Sequence, residues 1–398
     1  MRISSNYIAQ LFVDAQNQQE TSLAMLQQQI ATGLKFNQPA QDPVAASQVL
    51  SLQATLDQTS QYATNANLAQ SRLSIEDSTL SSVTNTLQSI RSLALQGANA
   101  TQTTETRASI ATQITQQLQN LLQLANTQDG SGQYLFSGTA TSTVPFSQTG
   151  SSVTYAGTQA QRLVQIASNR TVADSDSGAQ VFQQIRNGNG TFVASASAAN
   201  TGTAILGTNS VTDPVAWNAG RPPYTIAFTS PSAYTIKDAT GATVQTGAYA
   251  DGQTLSFNGA QLQLNGTPAT GDTFTVAESS NQDMFTTLQN LVTALTTTSA
   301  SGQAATVNGI NRVVEAIDQS LTNVSTVRSQ VGARLSAIDA QSTSSSALTL
   351  QLNSTMSNLR DLDYAAAVTK LNQQIVGLQA AQASYVKTQS LSLFNYIQ

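Results

Sequence analysis

Apolar residues recur every three or four positions in two stretches of the chain, residues 6–127 and 284–397. This spacing places them on one face of an α-helix, because a helix makes one turn in about 3.6 residues. Short segments rich in Gly, Pro or Thr divide each stretch into separate helices. The predicted helices cover residues 6–31, 43–96, 105–127, 284–295, 310–359 and 368–397.

The helices at the two chain ends carry apolar seams with very few charged residues around them. Residues 1–40 contain four charged side chains and residues 364–398 contain two. Soluble monomers normally cover an exposed helix face with charge, so we predict that neighbouring subunits complete these ends. One antiparallel coiled coil inside a monomer is the simpler alternative. The predicted assembly positions are Ile8, Leu11, Phe12, Leu23, Leu26, Ile30, Val368, Leu371, Ile375, Leu378 and Tyr385.

The inner helices carry longer seams, which predict a helical bundle because an amphipathic stripe needs a partner. Asp42 stands at the N-cap position of the second helix and Pro43 at its first helical position. We expect these two residues to form a bend that sets the angle between the terminal helix and the next one. The predicted packing positions of the bundle are Leu80, Val83, Leu87, Ile90, Ile110, Ile114, Leu118, Leu121, Ile310, Val314, Ile317, Leu321, Val324, Val331 and Leu335.

Residues 131–282 lack the helical period and hold six of the eight prolines and the only Trp. Short β-type runs alternate here with Gly, Asn and Asp, which predicts an inserted β-rich domain. A short helix is predicted near residues 179–187. Asp174 and Asp176 are predicted to lie in a surface turn, because their spacing lacks the later ligands of a calcium loop. The predicted strands cover residues 134–136, 163–166, 224–228, 233–236, 253–257, 260–264 and 273–276.

Together these elements predict an α+β chain: a long coiled-coil-like helical rod built from both chain ends, with an inserted β-rich domain. The predicted domains are the terminal helices at 1–40 and 360–398, the helical rod at 41–133 and 283–359, and the β-rich domain at 134–282.

Composition restricts the function of the chain. Its 398 residues include no Cys and no His, and only 9% are charged, against about 25% in ordinary globular proteins. The missing Cys and His remove thiolate metal sites and most general-base mechanisms, so we predict no enzyme activity, no metal and no cofactor. A net charge of −5 leaves no basic stripe for nucleic acid. The N-terminal residues contain no secretory signal pattern, and no apolar run is long enough for a membrane helix.

Segments near both ends resemble those of bacterial flagellins and their junction relatives. Residues 26–34 (LQQQIATGL) and 42–46 (DPVAA) are similar to the stretch where such chains turn from the terminal helix into the rod. Residues 87–101 (LQSIRSLALQGANAT) resemble the inner-rod helix and the turn after it. Residues 327–335 (VRSQVGARL) and 359–364 (LRDLDY) are similar to the C-terminal segments of the family.

Three features resemble the hook–filament junction members of the family more than the filament-forming flagellins. They are the start MRISSNY, the Asp42-Pro43 step where flagellins typically have two Asp residues, and residues 132–138 (GQYLFSG) after the third helix. The middle domain varies within the family and does not separate the two groups.

The resemblance implies a structural protein of the bacterial flagellum that forms a junction ring between hook and filament and adapts the hook-associated layer to flagellin. It implies self-association in a closed ring of about eleven copies. The other implied partners are the preceding hook-associated protein, flagellin, and an export chaperone on the C-terminal region, with no nucleic acid and no membrane. It also implies an extracellular location on the flagellum, reached through type III export without a cleaved signal peptide.

Two other functions are open at this stage. The chain could be a flagellin that forms the filament itself. Less in keeping with its composition, the β insertion could bind glycans or carry a Ser–Lys or paired-carboxylate active site on a flagellin-like rod. Its aromatic content of 6% and its lack of His disfavour this last function.

Overall fold

The computed structural model describes residues 5–220, 222–297 and 302–390. In these residues the six predicted helices outside the β-rich segment are confirmed, with bounds that differ by up to eight residues, and α4 was not predicted. Positions 391–397 of the last predicted helix lie outside the described residues. The helices are α1 (Ser5–Thr32), α2 (Pro43–Ala98), α3 (Thr104–Ala125), α4 (Pro214–Ala219), α5 (Met284–Thr296), α6 (Gly302–Arg360) and α7 (Tyr364–Ser390).

The ends of α1 and α2 follow from local chemistry. Gly33 has a φ of +72°, the left-handed conformation that commonly ends a helix and that Gly adopts without a steric penalty. The Asp42 carboxylate accepts a hydrogen bond of 2.9 Å from the backbone N–H of Ala45. Asp42 is therefore the N-cap of α2 and Pro43 its first residue, as the sequence predicted.

The strands lie between α3 and α5, and every pairing among them is antiparallel. A five-stranded sheet has the order β10-β9-β8-β13-β6, and a three-stranded sheet has the order β11-β12-β7. The pairs β1–β2, β3–β4 and β5–β14 form separate two-stranded ribbons. The strands are β1 (Phe146–Thr149), β2 (Ser152–Tyr155), β3 (Leu163–Ala167), β4 (Arg170–Ala173), β5 (Ile185–Arg186), β6 (Phe192–Ala196), β7 (Ile205–Val211), β8 (Tyr224–Ser230), β9 (Ala233–Lys237), β10 (Thr243–Ala248), β11 (Thr254–Phe257), β12 (Ala260–Asn265), β13 (Thr273–Glu278) and β14 (Asn281–Gln282).

Two predicted secondary-structure elements in this part of the chain are wrong. Residues 134–136 are not a strand: Tyr134 forms one isolated bridge with Gln128, and Leu135 and Phe136 are fully buried among helices. An apolar run of three looks the same in a sheet and in a helical core, which explains the error. The predicted helix at 179–187 is a single π-helical turn, Ala179–Gln183, followed by β5.

Two hydrophobic cores form among the described residues between positions 66 and 338. The first core joins α2, α3, α5 and α6 to side chains from residues 135–185. In this core the Phe182 ring lies 5.2 Å from Phe136 and 5.9 Å from Phe285, measured between ring centroids. The second core is built by β6 to β13 around Trp217. The segment predicted as a β-rich insertion therefore contributes to both cores.

Contacts between Cα atoms divide the chain into two compact units, residues 1–64 with 341–398, and residues 65–340. Both hydrophobic cores belong to the second unit. The division falls inside α2 and α6, each of which is one continuous helix.

Candidate assembly surfaces

In the first unit, α1 and α7 pack against each other in antiparallel directions. The rings of Phe12 and Tyr385 stack with centroids 4.1 Å apart and planes 8° apart. Further along, Gly377 lets the helices approach closely, since a Cβ at this position would lie 3.2 Å from the Gln19 side-chain nitrogen. Leu26 is almost completely buried.

Backbone hydrogen bonds join the two chain arms at the base of this helix pair. Leu34 and Asp361 form an antiparallel bridge. Beside it, the Lys35 N–H donates to the Arg360 carbonyl at 2.7 Å, and the Leu362 N–H donates to the Gly33 carbonyl at 2.8 Å. These bonds fix how α1 is aligned with α7, because α1 ends and α7 starts beside the same short bridge.

The predicted assembly positions fall into two groups. Leu26 is buried, and seven others are half-buried: Phe12, Leu23, Ile30, Leu371, Ile375, Leu378 and Tyr385. The exposed group consists of Leu11 at 52% and Val368 at 43% exposure. The side chain of Ile8 lies outside the described residues.

Sequence reasoning missed a second set of apolar side chains on the same two helices. They are not among the predicted seam positions, so a seam-based search does not find them. Their common feature is an exposed fraction above two fifths in a helix almost free of charge. They are Tyr7, Val13, Met25, Tyr364, Val376 and Val386.

The first part of α2 and the last part of α6 form another apolar surface in the first unit. A groove of about 470 Å³ runs between them and is lined mainly by Leu56, Ala63, Leu350 and small hydroxyl side chains. Leu50 and Leu350 are each 73% exposed. Asp42 and Pro43, at the start of α2, are exposed as well.

The predicted bundle positions lie in the first core of the second unit. Thirteen of the fifteen are buried, and Leu321 and Leu335 are partly buried against it. Two ion pairs link α2 to α6 at the surface: Arg91 with Asp318 at 2.6 Å, and Arg328 with Asp77 at 2.9 Å. Both pairs are half-exposed, so each adds at most about 1 kcal/mol to stability.

Asp174 and Asp176 do not lie in a surface turn, and that prediction is wrong. Both are buried, at 1% and 0% exposure. Arg334 of α6 donates two hydrogen bonds of 2.8 and 2.9 Å to Asp176, and the Arg162 Nε lies 2.9 Å from an Asp174 oxygen. The turn can be buried because arginine side chains from outside it neutralise its carboxylates.

A polar face of α6 binds the edge strand β7 of the three-stranded sheet. The Asn308 side chain accepts from the Leu206 N–H at 2.7 Å and donates to the Ala204 carbonyl at 3.0 Å. One turn later, Asn311 donates to the Leu206 carbonyl at 3.2 Å. These amides cover a strand edge that would otherwise have unpaired backbone groups.

The fourth hydrogen bond of this face runs from the Asn209 side chain to the Glu315 carboxylate. Burial raises the pKa of Glu315 to about 7, and the nearby Asp318 carboxylate also raises it, whereas the Asn209 bond lowers it. Glu315 therefore changes its charge near neutral pH at the contact between α6 and β7.

Two features are absent from the described residues, a metal-binding cluster and a membrane-spanning helix. These residues contain no cluster of His, Cys, Asp and Glu that could hold a metal ion. Across the ranges 5–220, 222–297 and 302–390, no helix is both long and apolar enough to span a bilayer.

Both helical arms match family models of flagellins. The model of the bacterial flagellin N-terminal helical region matches residues 3–141, and that of the C-terminal helical region matches residues 314–397. Together the two matches cover more than half of the chain.

Individual relatives agree with these matches. Flagellar hook-associated protein 3 of Salmonella typhimurium is 26% identical over 401 residues, which are 99% of each chain. The crystal structure of Xanthomonas campestris FlgL is 33% identical with a TM-score of 0.68, and covers 77% of this chain and 99% of its own. Hook-associated protein 3 of Legionella pneumophila is 28% identical with a TM-score of 0.74, and covers 78% of this chain and 98% of its own.

Proposed function

This chain belongs to the family of flagellar hook-associated protein 3 (FlgL), within the bacterial flagellins, and from this membership we propose that it is a structural protein of the hook–filament junction. The observation that carries the proposal is the similarity to hook-associated protein 3 along 99% of both chains. The protein works as a mechanical adaptor between the hook-associated layer and flagellin, and has no catalytic role.

The assembly contacts come from the helical arms of the first unit. Exposed Leu350 lines a groove between α2 and α6, and Leu50 is equally exposed on α2. Helices α1 and α7 expose further apolar side chains with little charge around them. Burying such surface between copies is favourable by about 25 cal/mol per Å². Sparse charge removes most of the repulsion that would oppose close packing of identical helices.

The proposed partners are other copies of this chain, the preceding hook-associated protein and flagellin. A head-to-tail contact repeated around an axis closes into a ring, and we propose about eleven copies in it. Before assembly, a chaperone holds the C-terminal region, and the chain leaves the cell unfolded by type III export. Its final location is the extracellular flagellum.

Within this assembly we keep the division into terminal helices for an inner tube, a helical rod, and an outward β-rich domain. The second core supports a separate outer body, because its buried residues run from Phe192 to Val276. Residues 135–185 pack instead with the bundle helices. The outer domain is accordingly proposed to begin near residue 190.

Deletion of the gene tests the proposal. The expected result is a strain with hooks but no filaments that releases flagellin monomers into the medium, because the filament lacks its base. Complementation with the full chain should restore filaments. Flagella that remain full length without this protein would contradict the junction role, and filaments consisting mainly of this chain would identify it as a flagellin.

A further inference from the structure

A fully buried carboxyl group on α2 lies beside the buried turn at residues 174–178. Glu76 has 0% exposure and accepts a hydrogen bond of 3.1 Å from the backbone N–H of Asp176. Its other carboxyl oxygen is buried and has no hydrogen-bond partner in the described residues. Among the described residues, no Arg or Lys nitrogen lies within 4.0 Å of a Glu76 carboxyl oxygen.

The surrounding charges balance without Glu76. Arg72 pairs with Asp129, and its Nε lies 3.4 Å from Asp174. Arg162 pairs with Asp174 and Arg334 with Asp176. Three arginines therefore match three aspartates, and an ionised Glu76 would add an unmatched negative charge in a buried place. Burying an unpaired charge is so costly that a group of this kind normally becomes neutral.

We propose that Glu76 is a proton-binding site of the folded protein, and that unfolding of the chain releases this proton. The groups that face Glu76 are Asp176 from the buried turn, Arg334 from α6 and Arg72 from its own helix. Burial raises the pKa of the Glu76 carboxyl, and the Asp176 carboxylate raises it further; the Asp176 N–H and the two arginines lower it. The net direction is well above the usual value.

The proton makes stability depend on pH in a defined direction. Below pH 4.5 both the folded and the unfolded chain hold the proton, so Glu76 contributes fully to the folded state. Above that pH the unfolded chain loses the proton first. The equilibrium constant for unfolding therefore rises by up to about tenfold per pH unit until the folded protein also loses the proton.

Infrared spectroscopy and urea unfolding of the full chain test this site. All samples carry Glu315→Gln, because Glu315 also titrates in this range. The starting protein should show the carbonyl stretch of a protonated carboxyl group at pH 7, and Glu76→Gln should remove it. The Glu76→Gln variant should still fold. Its equilibrium constant for unfolding should rise less steeply with pH, by up to about tenfold per pH unit.

Glu278→Gln is the matched control, since Glu278 is exposed on β13 in the same unit. It should leave both the infrared band and the pH dependence unchanged. If the starting protein lacks the band at pH 7, Glu76 is ionised and the proposal is overturned. This measurement does not need a variant at position 76, so it decides even if Glu76→Gln fails to fold.

Discussion

Gly33 and Tyr364 meet where the two arms of the chain join: a Cβ built on Gly33 would lie 2.8 Å from the Tyr364 hydroxyl oxygen. Gly33 also has a φ of +72°, which side chains rarely adopt. The end of α1 and the start of α7 therefore share a space that only glycine fits.

Replacing Gly33 with Ala should destabilise the α1–α7 pair by about 1–2 kcal/mol, from backbone strain and the contact with Tyr364. Hydrogen exchange in α1 and α7 measures the loss. Gly332→Ala is the control, because Gly332 lies inside α6 with nothing within 4 Å of its Cβ position, and Ala favours helix there. Equal exchange in Gly33→Ala and the wild type would contradict the close fit.

The stacked rings of Phe12 and Tyr385 should be energetically coupled. A double-mutant cycle with Phe12→Ala and Tyr385→Ala should give an interaction of about 0.5–1.5 kcal/mol, typical of a packed aromatic pair. The same cycle with Tyr7→Ala in place of Phe12→Ala should give none, because Tyr7 is 59% exposed. A coupling near zero for the first pair would show that these helices do not pack in the free chain.

Leu50 and Leu350 should serve assembly and not the fold. Each is 73% exposed, so Leu50→Glu and Leu350→Glu should change the free energy of unfolding by less than about 0.5 kcal/mol. Motility of the complemented deletion strain should nevertheless fall sharply, because a charge would be buried between copies. Val215→Glu, at a position 78% exposed on α4, should stay motile. Full motility of both leucine variants would remove this surface from the proposed interface.

The helices, their caps and the apolar seams of the bundle could be predicted because they depend on residues close in sequence. Strands β7 and β10 were missed because their apolar pattern is weak. Strand β7 buries only Leu206, and β10 buries no residue. The face of Asn308, Asn311 and Glu315 was missed because its partners lie about 100 positions away along the chain. A polar residue on a helix shows its partner only in three dimensions.

Two ion pairs made by arginines of α6 differ strongly in burial, Arg334 with Asp176 and Arg328 with Asp77. Asp176→Asn leaves Arg334 buried without its full partner, and should cost about 3–5 kcal/mol. Asp77→Asn breaks the half-exposed pair with Arg328 and should cost at most about 1 kcal/mol. Urea unfolding compares the two variants. Similar losses would mean that the turn is not held by its ion pairs.

Glu315 should make the contact between α6 and β7 sensitive to pH. Because burial raises its pKa from 4.5 to about 7, its contribution to stability is complete below pH 4.5 and is lost as the pH rises through 7. Glu315→Gln keeps an acceptor for Asn209 and should flatten the pH dependence of unfolding between these values. Trp217 fluorescence reports on the neighbouring second core. An unchanged pH profile in Glu315→Gln would contradict this assignment.

Electron microscopy of flagella labelled with antibody against residues 190–282 tests the junction role most directly. The account predicts one narrow band of label at the distal end of the hook, with the filament unlabelled. Antibody against flagellin should label the filament beyond that band. Label spread along the whole filament would contradict the account and would show that this chain builds the filament itself.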